Sequence, residues 1–126
     1  MQMAELLFAQ DSYKLVGICM EVHTNLGLGF KEIIYKDALE YEFKNNNISF
    51  IREKRFKIVY KGFVLPHSYN ADFIINNAIA LEVKAMPFIV DSFVKQTLNY
   101  LKVSGMRLVI IANFGEKSFA SQRVVF

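Results

Sequence analysis

The sequence predicts an α/β fold, a mixed central sheet flanked by helices, on three observations. Apolar residues recur at helical spacing in three segments, they alternate with charged residues in the middle of the chain, and residues 108–112 form a fully apolar run of strand length. The chain of 126 residues is expected to form one domain, 1–126, long enough to close a hydrophobic core without staples. At 53% hydrophobic residues a disordered chain is excluded.

Leu15, Ile18, Cys19, Val22 and Leu26 predict a first amphipathic helix over residues 11–26, with Asp11 or Ser12 as N-cap and Gly27 as the left-handed residue that closes it. A second helix is expected from about residue 30 to 45, carrying Ile34, Tyr35, Ala38, Leu39 and Phe43 on one side and ending in Asn45-Asn46-Asn47. Glu42 falls inside that apolar arc, where an arginine of the next segment could pair with it. Residues 48–60 alternate, with Phe56, Ile58 and Tyr60 on one face and Glu53, Arg55 and Lys57 on the other. Lys61-Gly62 predicts a hairpin turn, and Phe63-Val64-Leu65 its return strand before Pro66. Strands over 69–75 and 78–85 follow, separated by Asn76-Asn77. A third helix spans 91–103, capped by Asp91 or Ser92, with Phe93, Val94, Thr97, Leu98 and Leu101 as its core stripe and Gly105 closing it. Residues 108–112 read as a central strand covered on both faces, and 123–126 as an edge strand.

A net charge of +3 permits a polyanion partner without arguing strongly for one. The single cysteine, Cys19, excludes an internal disulfide and fits a reducing compartment. The opening MQMAELLFAQ lacks a basic region and carries Glu5, which makes it a poor signal peptide, and no apolar run reaches membrane-spanning length. The expectation is a soluble cytoplasmic protein with no membrane partner.

Candidate chemistry concentrates in residues 70–100, where Asp72, Glu82 and Lys84 stand in otherwise apolar strands. Charges placed there are costly unless they bind a metal, pair or line a cleft. Glu82 and Lys84 are two apart and project from one face. Asp72 joins them only if paired positions sum to an even number, as with Asp72 opposite Glu82. A two-residue Asn76-Asn77 turn would instead pair Asp72 with Leu81, so a three- or five-residue connection or a bulge is expected, with an Asn at positive φ. Two converging carboxylates suit a hard divalent cation, and a lysine beside them eases developing negative charge. Gln96 and Tyr100, one helical turn apart, could line the same cleft, and Glu32 is a further carboxylate within reach through water.

Each has a plainer alternative. Asp72, Glu82 and Lys84 could be an ion pair on a surface strand, Gln96 and Tyr100 ordinary helix packing, and Glu32 an acid favoured near a helix N-terminus. His23 reads as a buried, hydrogen-bonded histidine and Cys19 as a small core residue, while His67 has no case. The basic run Arg52, Lys54, Arg55, Lys57 and Lys61 could follow a phosphate backbone, although such hairpins are more often solvated faces.

Asp72, then Glu82-Val83-Lys84, then Gln96-Thr97-Leu98-Asn99-Tyr100 resembles the PD-(D/E)xK nuclease superfamily, including the Q-x-x-x-Y element of its recombination-type branch. Glu21-Val22-His23, Gly29-Phe30-Lys31-Glu32-Ile33-Ile34-Tyr35, Tyr69-Asn70-Ala71-Asp72 and Asn113-Phe114-Gly115 further resemble the GxxExxY protein family of that superfamily, in matching order over nearly the whole chain. Ala71 replaces the proline of the superfamily's name. The resemblance implies a restriction-endonuclease-like core of one helix, three strands, a helix and a strand, preceded here by an extra N-terminal helix. It implies that Asp72 and Glu82, with Val83, hold Mg²⁺ or Mn²⁺, that Lys84 orients the attacking water, and that Glu32 assists.

The expected function is a metal-dependent phosphodiesterase acting on nucleic acid, DNA first, by a metal-activated water. The catalytic set is Glu32, Asp72, Glu82, Lys84, Gln96 and Tyr100. The alternatives are a non-catalytic nucleic-acid or protein-binding module on the same fold, or an accessory subunit of a larger complex. A homodimer or a protein partner stays open.

Overall fold

The computed structural model describes residues 8–125. The reading of the opening segment therefore lies, for residues 1–7, outside the described residues, as does Phe126. Helix α1 (Ala9–Leu26) starts two residues before the expected caps, at a left-handed Phe8, which leaves Asp11 in its first turn, where an acid is favourable. Ser12 is buried instead and accepts a 2.7 Å hydrogen bond from Arg123 Nη1. Gly27 (φ 72°) ends α1, and helix α2 (Glu32–Asn45) follows.

Strand β1 (Phe50–Phe56) stops four residues short of Tyr60. The next two strands, β2 (Val59–Tyr60) and β3 (Phe63–Val64), close a hairpin of their own around Lys61 and Gly62, both at positive φ. Then come β4 (Tyr69–Ile75), β5 (Ile79–Lys84), helix α3 (Asp91–Ser104), β6 (Leu108–Asn113) and β7 (Ala120–Val125). The main sheet has the order β1-β4-β5-β6-β7. Only β5 and β6 run parallel, and α3 is the crossover a parallel pair requires. Gly105 closes α3 in the left-handed conformation, as its position in the sequence predicts.

Two apolar layers hold the sheet. On one face Leu15, Ile18, Cys19 and Val22 of α1 and Tyr35, Leu39 and Phe43 of α2 pack on Phe73, Ile75, Leu81, Val83, Ile110 and Ala112. On the other, Leu101 of α3 packs on Ile74, Ala80, Val109, Ile111 and Val124. Strand β6 is buried along its whole length, the central strand its apolar run predicts. Ile34 and Leu98, expected in helix core stripes, lie partly in solvent at the stripe edges. The arginine of the next segment, Arg52, pairs not with Glu42 as expected but with Asp37 (2.8 Å) and Glu40 (3.3 Å), neighbours three apart on the same helix face. His23 is buried, and its Nε2 donates to the Glu116 carbonyl at 2.8 Å. Among the described residues no helix is long and apolar enough to cross a membrane.

Candidate active site

The site begins with the register of β4 and β5. Their connection is three residues long, Asn76-Asn77-Ala78, with both asparagines at positive φ (51° and 55°), and it pairs Ile75 with Ile79, Ile74 with Ala80 and Phe73 with Leu81. Asparagine tolerates that conformation better than most residues. Paired positions sum to an even number, so Glu82 falls level with Asp72, as the sequence argument required. The ladder then gives way to side chains. The Val83 N–H donates to Asp72 Oδ2 (2.7 Å), and the Asp72 N–H donates to Glu82 Oε2 (3.3 Å).

The opposite neighbour of Asp72 is distorted as well. Glu53 of β1 sits at φ 59°, a costly conformation for a non-glycine residue, between the pairs Arg52 with Phe73 and Lys54 with Ala71. Regular alternation breaks at this point in both strands. Phe73 packs in the layer under α1 and α2 while Ala71, two residues away, packs in the other, and Phe50 and Phe56 divide in the same way. A matched kink of this kind re-aims the side chains around it. Lys36, one turn beyond Glu32 and 7% exposed, fills the space, and its ammonium pairs with Glu53 and with Asp72 Oδ1 (3.0 Å). Burial alone would lower the Lys36 pKa, but the hydrogen bonds and charges of Glu53 and Asp72 outweigh it and raise the value.

Glu82 is the buried acid, 5% exposed. Its Oε1 accepts a 2.7 Å hydrogen bond from the Tyr69 hydroxyl. The Tyr69 ring lies between Tyr100, stacked at 4.1 Å, and Phe56, stacked at 5.7 Å. Burial first, and the charge of Asp72 second, push Glu82 up to about 8, and only part of that is offset by its hydrogen bonds to Tyr69 and the Asp72 amide. Burial and the Glu82 charge also raise the Tyr69 and Tyr100 hydroxyls.

Glu32, Asp72, Glu82, Lys84, Gln96 and Tyr100 all line one cleft of about 290 Å³, together with Tyr69, Phe93 and Ile58. Lys84 Nζ lies 4.6 Å over the Phe93 ring. Gln96 is exposed on the α3 wall. Glu32 reaches across from α2, and its Oε2 accepts the Ala85 N–H at 3.1 Å, one residue past Lys84. Val83 buries its side chain in the opposite layer and presents only backbone here. Sequence reasoning missed Lys36, Glu53 and Tyr69. A signal existed for one of them, since Lys36 follows Glu32 by four residues and shares its helix face. A larger cavity of about 410 Å³, bordered by His23, Lys117 and Phe119, contains none of these residues.

Among the described residues no group of three His, Cys, Asp or Glu side chains could hold a metal ion. The donor set still fits a divalent cation. Asp72 and Glu82 supply hard carboxylate oxygens in an open cleft, no ion pair reaches the buried Glu82 among the described residues, and Mg²⁺-type ions are commonly held by one or two carboxylates with water completing the shell.

No curated protein is similar enough in sequence to match the chain. Solved structures that share its fold include two crystal structures. That of SSO0001 superposes with a TM-score of 0.59 at 21% identity, covering 73% of this chain and 48% of the other. That of an alkaline exonuclease (LHK-Exo) from Laribacter hongkongensis superposes with a TM-score of 0.50 at 9% identity, covering 68% of this chain and 51% of the other. The chain thus spans about half the length of each. The family model described as the PD-(D/E)XK nuclease superfamily matches residues 9–124. With nearly the whole chain matched by that family model, and the sheet and helices laid out as in those structures, the chain belongs to the PD-(D/E)XK nuclease superfamily.

Proposed function

We propose that this chain hydrolyses phosphodiester bonds in nucleic acid, DNA first, with Mg²⁺ or Mn²⁺, as a one-domain cytoplasmic member of the GxxExxY branch. One observation carries the reading: the even register sets Asp72 and Glu82 side by side in the cleft that Lys84 also lines. Members of the superfamily generally use divalent metal ions. Asp72 and Glu82, with the Val83 backbone, are the residues that would hold the ion, which when bound supplies Lewis-acid stabilisation at phosphoryl oxygen and a more acidic water. The Lys84 ammonium, set over the Phe93 ring, donates to the attacking water and offsets charge developing on the phosphate. Gln96 and the Tyr100 hydroxyl face the same space and position the substrate. Glu32 fixes the backbone just beyond Lys84 and so holds its aim.

A second reading is favoured by Lys36, whose ammonium already neutralises part of Asp72. In that reading the chain is a non-catalytic nucleic-acid or protein-binding module, or an accessory subunit that needs a partner. One assay separates the two, with single-stranded, duplex and branched DNA and RNA incubated with Mn²⁺ or Mg²⁺ and with EDTA, alongside Lys84→Ala. Hydrolysis that EDTA abolishes and that Lys84→Ala lowers by roughly 10²-fold or more supports the enzyme. Cleavage that survives both treatments comes from a contaminant, and nucleic-acid binding without cleavage under any condition favours the module.

A further inference from the structure

We propose that the β2–β3 hairpin is a stacking platform for unpaired bases, which makes single-stranded nucleic acid the ligand class of the adjoining cleft. The inference rests on the phosphodiesterase reading above and names its substrate form. The hairpin forms a sheet separate from the main one, and it exposes Val59 (60%), Tyr60 (58%), Phe63 (75%) and Val64 (53%). An isolated two-stranded hairpin is marginal in water, and four large apolar side chains on it leave more than half of their surface in solvent. Tyr60 and Phe63 share one face of the ribbon and Val59 and Val64 the other, and exposed apolar side chains concentrated in this way mark an interaction site.

Its geometry suits a base. Tyr60 and Phe63 are direct cross-strand partners, so their rings project from one face of the ribbon beside the turn. Lys61 and Gly62, both at positive φ, fix that register. The platform is also continuous with the site. The Leu65 N–H bonds the Ile58 carbonyl at 2.8 Å, carrying the pairing down to Ile58, which lines the cleft. Two residues of strand, ~7 Å, separate Ile58 from Tyr60. A strand lying in the cleft that Ile58 and Lys84 both line would therefore pass beside the rings.

Charge identifies the occupant as a polyanion. Residues 54–71 contain Lys54, Arg55, Lys57 and Lys61 and no Asp or Glu. Lys61 Nζ lies 5.4 Å over the Tyr60 ring, so cation and aromatic face are offered together. Aromatic side chains interleaved with basic ones bind single strands by stacking on bases, whereas duplex bases are already stacked on one another.

The chain has no tryptophan, so Phe63→Trp provides a single reporter. It would be titrated in EDTA, so that no strand is consumed, with a thymidine homo-oligomer of roughly 12 nucleotides and with a duplex of the same length. The expected result is quenching by the single strand and little by the duplex. Tyr60→Ala with Phe63→Ala should weaken single-strand binding by about 10-fold or more, with the slope against salt unchanged because the phosphate contacts remain. Phe63→Tyr should restore most of the affinity. If the Phe63→Trp emission stays unmoved while a labelled strand still binds by anisotropy, the platform is overturned and the cleft reading stands. Equal weakening on duplex would also overturn it, as would loss of a dimer in sedimentation with strand binding intact, which would assign the hairpin to a second copy. If the wild type neither binds nor cleaves any nucleic acid, the functional reading falls and the platform with it.

Discussion

Lys36, which is not among the residues lining the cleft, places an ammonium 3.0 Å from Asp72 Oδ1. A unit charge that close lowers the attraction of Asp72 for any second cation, by an amount that even an effective dielectric near 20 leaves at a few kcal/mol. Lys36→Met keeps an unbranched apolar stem one atom shorter and removes the charge. In EDTA this variant should lose about 1–3 kcal/mol of stability, because Asp72 keeps its burial and loses its partner. In calorimetry it should bind Mn²⁺ more tightly than the wild type, by about tenfold or more. Weaker binding would instead mean that Lys36 acts by orienting Asp72. Asp72, Glu82 and Lys84 were legible in the sequence because charges in apolar strands are conspicuous. Lys36 was signalled only by its four-residue spacing from Glu32, since otherwise it resembles the surface lysines elsewhere in the helices. Glu53 was not legible, because nothing in its residue type announces a positive φ. Strict alternation gave the right parity for Asp72 and Glu82, but it could not show that β1 and β4 exchange faces at this point.

At the level of elements, the end of β5 is positioned by the turn after β6. Asn113, fully buried, accepts the Met86 and Gly115 N–H groups (2.9 and 3.1 Å) and donates to the Met86 carbonyl and Glu116 Oε2 (2.9 and 2.8 Å). The Phe114 N–H bonds the Lys84 carbonyl at 2.7 Å. Gly115 completes the lock by leaving room, since a Cβ there would lie 2.3 Å from Met86 O, 2.4 Å from Met86 N and 2.6 Å from Ala85 C. All three are backbone atoms that cannot rotate away. Gly115→Ala should therefore cost about 2–3 kcal/mol in denaturant unfolding and displace Lys84, lowering any hydrolysis. Gly17→Ala is the control. It lies on the exposed face of α1 with nothing within 4 Å of the added Cβ, and it should stabilise by about 0.5–1 kcal/mol. Element types followed well from periodicity and turn residues. The ends did not, as at α1, which begins on a left-handed Phe8 without a side-chain cap, and at β1, which stops at Phe56 although Ile58 and Tyr60 continue its pattern.

On the scale of the whole molecule, one sheet is sealed between two apolar layers, and Glu82 is the acid inside it. The layers were readable from the sequence, because β6 is apolar on both faces and the helices carry apolar stripes. The energetic consequence for Glu82 was not, since it depends on Asp72 facing it. Between the usual carboxylate value of 4.5 and about 8, the folded protein keeps a proton on Glu82 that the unfolded chain has already released. The native state then binds more protons than the unfolded state, so stability falls as pH rises through this window and is highest at its acid end. The loss has an upper bound of about 5 kcal/mol, taking 1.36 kcal/mol for each unit. A divalent cation held by Asp72 and Glu82 would reverse the slope by favouring the ionised pair. Denaturant unfolding from pH 5 to 8 should therefore show declining stability in EDTA and recovery with excess Mg²⁺ or Mn²⁺, and Glu82→Gln should remove both the decline and most of the recovery. A flat wild-type profile in EDTA would mean that Glu82 ionises without penalty, and the cleft would then lack the unmet negative charge from which its fit to a metal is argued.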